Sequence, residues 1–167
     1  MNIEFKAIKT EEQAAAAAEI ADIIWREHYA GIISAEQIDY MLKNQSREAI
    51  LTQIKGTYSY YLIKCGDIPL GYAALDRGEK LDKLMFISKI YVLREYRASG
   101  IGRAVIDFFA EIAAAEGFDG LFLHVNKHNP SVEAYKKLGF SVKYPMTTQI
   151  GGGYIMDDYC MELLFPA

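Results

Sequence analysis

The chain has 167 residues, 51% of them hydrophobic and 24% charged, which predicts a single globular domain over residues 1–167 with a sizeable core. A net charge of −4 argues against nucleic acid as a bulk partner, and no apolar run approaches the roughly 20 residues of a membrane span. The N-terminal residues MNIEFKAIKTEE lack a basic-then-apolar leader, and Cys65 and Cys160 match no metal spacing, so reduced thiols and a cytoplasmic setting are expected.

Residues 2–8 alternate apolar and polar and read as a first strand. Thr10, followed by Glu11, Glu12 and Gln13, starts a helix that runs to about His28, with Ala17, Ile20, Ala21 and Ile24 at helical spacing. Ser34 caps a second helix carrying Ile38, Met41 and Leu42, and residues 46–55 suit a short third one. From residue 58 the period becomes two. Residues 58–65 form a strand, Gly66 and Asp67 a two-residue turn, and residues 69–75 the returning strand. A polar connection over residues 76–83 leads to a central strand at 84–93. A helix over residues 100–116 presents Ile101, Val105, Phe108, Ile112 and Ala115 on one face, and residues 120–126 form a buried strand, so that strand, helix and strand make a parallel crossover. Asn129 and Pro130 start the next helix as cap and first residue, and Gly139 closes it. Two antiparallel strands at 140–144 and 154–164, joined by a loop holding Gly151, Gly152 and Gly153, complete a mixed α/β domain.

The most informative stretch is ISKIYVLREYRASGIGR, residues 87–103. A β-branched strand stops at a charged turn, and Gly100 and Gly102 then open a helix. Backbone amides at a helix N-terminus, with the helix dipole behind them, make an anion site, and glycine lets a phosphate approach without meeting a Cβ. Arg94, Arg97 and Arg103 add positive charge. A P-loop is excluded because no Gly-Lys-Ser/Thr follows, and the dinucleotide fingerprint lacks its first glycine. The pattern R-x-x-G-x-G after a strand resembles the acyl-coenzyme-A loop of the GNAT superfamily of N-acetyltransferases. Downstream, NKHNPSVEAYKKLGF matches the later part of a second superfamily pattern at Asn129, Ala134, Tyr135, Gly139 and Phe140, so the resemblance covers about residues 84–165.

The resemblance implies a GNAT-like fold: a mostly antiparallel sheet of about seven strands, flanked by about four to five helices, with one parallel pair splayed around acetyl-CoA. Unpaired amides in the splay would receive the pantetheine arm. On this view an amide near Val92 faces the acetyl carbonyl. Arg97, Ala98, Ser99, Gly100, Ile101, Gly102 and Arg103 hold the pyrophosphate, and Asn129 contacts the cofactor while capping its helix. Tyr135 is the implied general acid, a phenol positioned to protonate the leaving thiolate. An alkylammonium, with a pKa near ~10.4, must lose a proton before it attacks. Glu27, His28, Glu36 and Asp76 are candidate acceptors beside a route through ordered water, and the sequence names no base. His124 reads as a structural strand residue and His128 as a loop residue.

Trp25, His28, Tyr29, Ile33, Glu36, Tyr40, Met41 and Leu42 read first as the packed faces of two helices. They also resemble the helix pair lining the acceptor pocket of bacterial spermidine/spermine-type acetyltransferases, where aromatic and acidic groups suit a polycation. Residues 1–82 carry 13 acidic and 9 basic side chains while residues 83–167 carry 9 of each, which fits a cationic acceptor arriving from the first half or a plain solvated surface. The expected activity is direct acetyl transfer from acetyl-CoA to an amine of a small molecule, a polyamine among the options, or of a peptide. It involves no metal and no thiol intermediate, since neither cysteine has a neighbouring His in sequence. A non-catalytic acyl-CoA sensor is the alternative from another class, and a nucleotide-phosphate enzyme a distant third. The C-terminal strand and its glycine loop offer an edge for a homodimer.

Overall fold

The computed structural model describes residues 2–167, in which seven strands form one sheet with the order β1-β2-β3-β4-β5-β7-β6. In chain order these are β1 (Glu4–Ala7), α1 (Glu11–Tyr29), α2 (Ala35–Leu42), α3 (Arg47–Lys55), β2 (Tyr58–Cys65), β3 (Ile68–Leu81), β4 (Leu84–Val92), α4 (Ile101–Ala115), β5 (Gly120–Asn126), α5 (Ser131–Lys137), β6 (Ser141–Gly151) and β7 (Tyr154–Leu164). Only β4 and β5 run parallel, as the α4 crossover requires, and every other neighbouring pair is antiparallel. This is the mixed α/β arrangement of seven strands and five helices that the spacing predicts.

Local chemistry sets the helix starts. Thr10 Oγ1 accepts from the Gln13 amide at 3.2 Å, and Gln13 Oε1 accepts from the Thr10 amide at 3.1 Å, a reciprocal cap contributing about 1 kcal/mol. Ser34 and Ser46 cap α2 and α3 with one bond each, their hydroxyls accepting from the Gln37 and Ala49 amides without the return bond. The sheet is covered on both faces. Below it, α4 presents Ile101, Val105, Ile106, Phe109 and Ala113 to Met85, Ile87, Leu121 and Leu123. Above it, α1 buries Ala17, Ile20, Ala21, Ile24 and Trp25 against Tyr60, Leu62, Tyr72 and Ala74.

Several boundaries differ from the sequence reading. The first strand is four residues long, and a 3₁₀ turn at Lys43–Gln45 joins α2 to α3. The polar stretch at 76–83 is not a connection: β3 continues to Leu81, and only Asp82 and Lys83 turn, because Asp76 is buried and caps locally to the Gly78 amide at 2.8 Å and to Thr57. The buried stripe of α4 is centred on Val105 and Phe109. Phe108 and Ile112 lie at its flank and Ala115 is exposed. The strand expected at 140–144 extends to Gly151, so the glycine loop is a tight hairpin whose Gly152 (φ +62°) and Gly153 (φ +80°) adopt the left-handed backbone that such a turn requires. A Cβ on Gly151 would collide with the Tyr40 hydroxyl, since the hairpin tip lies against α2. The C-terminal strand β7 is not an edge. It is paired on both sides, by β5 and β6, which leaves β6 as the outer strand.

Candidate active site

The parallel ladder between β4 and β5 is short. Leu84–Ile87 pair with Gly120–Leu123, and the pairing then stops. The cause is on the other side of β4, where Ala74 opposes Lys89 and Leu75 opposes Ile87, so that Ser88 is left over as a bulge. A bulge bends its strand and reverses which face the following side chains occupy. Ile87, Ile90 and Val92 therefore lie on the α4 face, while Lys89 and Tyr91 lie under α1. Beyond the bulge the Leu93 amide donates to the Leu70 carbonyl at 2.9 Å, so by strand alternation the Val92 amide is turned the other way, into the gap that β5 has left.

The segment after β4 is a compact anion-binding shape. A 3₁₀ turn at Arg94–Tyr96 is followed by Ala98 (φ +62°) and Gly100 (φ +77°), two left-handed residues that direct neighbouring amides to one side. Gly100 begins α4 without any side-chain cap, and the first helical bond is Ala104 to Gly100, which leaves the amides of Ile101, Gly102 and Arg103 without helical partners. A Cβ on Gly100 would meet nothing within 4 Å, and one on Gly102 would meet only Leu138 at 3.7 Å, so space is open above this backbone. Arg97 Nε donates to the Val92 carbonyl at 3.0 Å and ties the loop to the end of β4. Arg94 is exposed and 3.9 Å from Glu27.

One cavity of about 770 Å³ joins the gap, the loop and the helix α1, a size suited to a cofactor-scale ligand. Of the residues singled out in the sequence, Trp25, His28, Tyr29, Val92, Arg97, Ala98, Gly100, Ile101, Gly102, Arg103, Asn129 and Tyr135 all line it. Ser99 does not, although it belongs to the same loop.

Tyr135 is held firmly. Gly139 (φ +105°) closes α5, with its amide donating to Lys136 at 3.1 Å and that of Phe140 donating to the Tyr135 carbonyl itself at 3.0 Å. The ring packs edge-on to Phe140. Burial, with the nearby Tyr29, raises the Tyr135 hydroxyl well above its ordinary range, so it stays protonated and able to donate. Among the described residues its hydroxyl has no hydrogen-bond partner.

Asn129 is committed to protein partners. Helix α5 starts at Ser131, one residue later than predicted, and Pro130 already has helical angles. Asn129 Oδ1 accepts from the Ser131 amide at 2.8 Å, which fixes the orientation of its amide group, and the same oxygen lies 2.9 Å from His28 Nε2. An oxygen only accepts, so His28 Nε2 carries the proton of this hydrogen bond. Asn129 Nδ2 lies 3.5 Å from the Tyr29 hydroxyl, which burial first and then the Asp158 charge push up to about 12, against the hydrogen bonds that favour ionisation. Trp25 and Tyr29 stack at 4.3 Å, one helical turn apart and almost fully buried, so they pack the core as well as line the cavity. Of the other candidate acceptors, Asp76 is spent on local caps, while Glu27 and Glu36 are exposed and do not line the cavity. His124 is half-buried beside Phe86 and Phe122, with burial lowering its pKa.

Two polar groups in the cavity wall escaped the sequence reading. Lys89 is buried under α1 against Tyr60, near Gln53, and burial lowers its ammonium to about 8. Asp158 is also buried, and burial followed by the neighbouring Asp157 raises it to about 6. A signal was present for Asp158: the period of two places it on the inward face of β7 between Met156 and Cys160, a carboxylate on an apolar face.

These features have close relatives. The chain matches the profile of the acetyltransferase (GNAT) family over residues 17–140. An uncharacterized N-acetyltransferase of Mycobacterium tuberculosis is 32% identical over 93 residues, so the match spans 55% of this chain and little more than half, 58%, of that relative's length. Among solved structures, the PaiA N-acetyltransferase of Thermoplasma acidophilum in complex with coenzyme A superposes with a TM-score of 0.80 at 23% identity, covering 99% of this chain and 100% of its own. A GCN5-related N-acetyltransferase from Rhodopseudomonas palustris gives the same TM-score at 19% identity, covering 99% and 97%. With the family profile spanning most of the chain, and with the splayed strand pair and glycine loop in place, this protein belongs to the acetyltransferase (GNAT) family.

Proposed function

We propose that the chain is an acetyl-CoA-dependent N-acetyltransferase that passes the acetyl group directly to an amine of a small molecule or peptide. The observation that carries this reading is the loss of β4–β5 pairing at the Ser88 bulge, beside a left-handed glycine loop and on the same cavity as Tyr135. The residues fit acetyl-CoA, because space is open over Gly100 and Gly102, the first amides of α4 have no helical partners, and the Val92 amide faces the gap. Bound there, acetyl-CoA supplies the activated acetyl thioester. The Ile101, Gly102 and Arg103 amides, with Arg97 and Arg103, neutralise the pyrophosphate. The Val92 amide donates to the acetyl carbonyl oxygen as negative charge gathers on it. As the C–N bond forms and the C–S bond breaks, the Tyr135 hydroxyl would donate its proton to the departing sulfur, while the proton lost by the amine nitrogen leaves through water, from which the phenol is restored. Trp25, His28 and Tyr29 form the wall on the acceptor side.

Both faces of a single sheet are covered by helices, which supports reading residues 1–167 as one catalytic domain. No described helix is long and apolar enough to cross a membrane. The test is release of free coenzyme A thiol from acetyl-CoA over spermidine, spermine, aminoglycosides, amino acids and short peptides. Saturable release with at least one amine is expected. Tight acetyl-CoA binding with no release across the whole panel would contradict the reading in favour of a non-catalytic acyl-CoA sensor.

A further inference from the structure

Asp158 is a carboxylate built into an apolar wall, with no ion-pair or hydrogen-bond partner among the described residues and only the more distant charge of Lys127 acting on it. It stands opposite Asn126 of β5 and Met146 of β6 in the sheet and is 9% exposed. Its Oδ1 is sealed from water and has no partner among the described residues, so a guest in the cavity meets the carboxylate through its other oxygen. Asn126, its neighbour in register, accepts through Oδ1 from the His128 amide at 2.9 Å and makes no hydrogen bond to Asp158 among the described residues. Lys127, close in sequence, pairs with Asp157 at 2.8 Å rather than with Asp158. A second unpartnered polar atom, Trp25 Nε1, belongs to a residue of the same cavity wall. An unsatisfied buried carboxylate is strongly unfavourable unless something cationic arrives to pair with it.

We propose that Asp158 is the acceptor-binding carboxylate of this site: it takes hydrogen bonds from an alkylammonium group of the incoming amine, so the acceptors are cationic alkylamines rather than neutral amines. This rests on the acetyltransferase reading for the identity of the reaction but makes its own claim about binding. The cavity suits such a guest, since the carboxylate shares it with Trp25, Tyr29 and Met156, and aromatic faces add cation–π attraction to the ion pair. The groups that bear on the Asp158 charge are Tyr29 of α1, Lys127 after β5 and Asp157 on β7, and His28 lines the same cavity. Asn126 and Met146 opposite it are neutral.

The experiment is calorimetric titration of coenzyme A-saturated protein with phenethylamine and spermidine, both cationic at pH 7.5, and with aniline, neutral there. Wild type, Asp158→Asn and Asp158→Ser are compared after thermal melts show that each is folded. Both substitutions are expected to weaken the alkylamines at least ~10-fold and aniline less than ~3-fold, the signature of losing a charge-assisted hydrogen bond. Wild-type affinity for phenethylamine is expected to fall as pH drops through about 6, where the carboxylate protonates, and Asp158→Asn to show no such step, which separates Asp158 from His28. Equal loss for alkylamines and aniline, or unchanged alkylamine binding in both variants, would overturn the proposal. So would a wild type that binds neither alkylamine. Intact, Asp158-dependent alkylamine binding with no acetyl transfer would instead contradict the acetyltransferase reading and leave this one standing.

Discussion

The two ends of the cavity are made of different materials. Towards α4 the wall is backbone: the Val92 amide turned into the gap, Ala98 and Gly100 in left-handed conformations, and three helix-start amides without helical partners. Towards α1 and β7 it is side chain: Trp25, His28, Tyr29, Asn129 and Asp158, brought together from elements more than 100 residues apart in the chain. A backbone wall recognises what every donor molecule shares, and its shape depends only on which residues allow that conformation. A side-chain wall can be rewritten residue by residue, at a cost to the fold where, as at Trp25 and Tyr29, it also packs the core, and on the proposed reading acceptor choice resides there.

Substitutions sharpen or break this division. Tyr135 sits between the two halves, and Tyr135→Phe is expected to lower kcat about 100-fold, the usual contribution of a positioned proton donor, with acetyl-CoA affinity changed less than about 3-fold. Unchanged kcat would remove Tyr135 from the chemistry.

On the side-chain half, Asp158→Asn is expected to stabilise the protein. Its folded pKa, raised to about 6 from an ordinary 3.8, means that the native state holds more protons than the unfolded chain between those values. Stability therefore falls as pH rises from about 4 to about 6, and the ionised group is unfavourable above that. After allowance for its partial solvent contact, Asp158→Asn should gain about 1–2 kcal/mol at pH 7.5 in urea melts, and the gain should vanish near pH 4. A loss of stability at pH 7.5 would show that Asp158 is a structural partner instead.

On the backbone half, Gly102→Ala should leave the melting temperature unchanged or slightly higher, since the new Cβ meets only Leu138 at 3.7 Å in an otherwise ordinary helix turn. It should nonetheless weaken acetyl-CoA about 10-fold in a direct titration, because that methyl occupies the phosphate's approach. Unaltered affinity would place the pyrophosphate elsewhere. The smallest effect is expected outside both halves. Arg26 bridges Asp22 and Asp39 at 3.1 and 3.0 Å on an exposed surface, and Arg26→Ala should change stability by less than about 1 kcal/mol with no change in kcat.

The same division explains what the sequence could be made to say. The backbone half was legible because Gly100 and Gly139 take left-handed conformations that favour glycine, Gly102 keeps the helix start free of a Cβ, and all three stand at recognisable spacings with Arg97 after a β-branched strand. The Ser88 bulge was not legible, since it arises from the mismatch of β3 and β4 across the ladder and nothing in ISKIYV marks an unpaired residue. The long β3 was hidden by polar residues whose partners lie elsewhere, Asp76 in local caps and Arg77 on Glu116 at 2.7 Å. On the side-chain half, Trp25, His28 and Tyr29 stood out because they share one helical face. Lys89 did not, because only the fold shows that it is buried, whereas Asp158 was marked only by the alternation that puts a carboxylate on the apolar face of β7. The tether from His28 to Asn129 spans 101 positions and has no local signature.

The most direct test of the division is hydrogen–deuterium exchange of the wild-type protein with acetyl-CoA alone, followed peptide by peptide. The account predicts protection of the amides over residues 88–92 and 98–103, where backbone receives the cofactor, with little change over 25–29 and 156–158. Protection confined to α1 and β7, or none in the β4 gap at saturating acetyl-CoA, would contradict it.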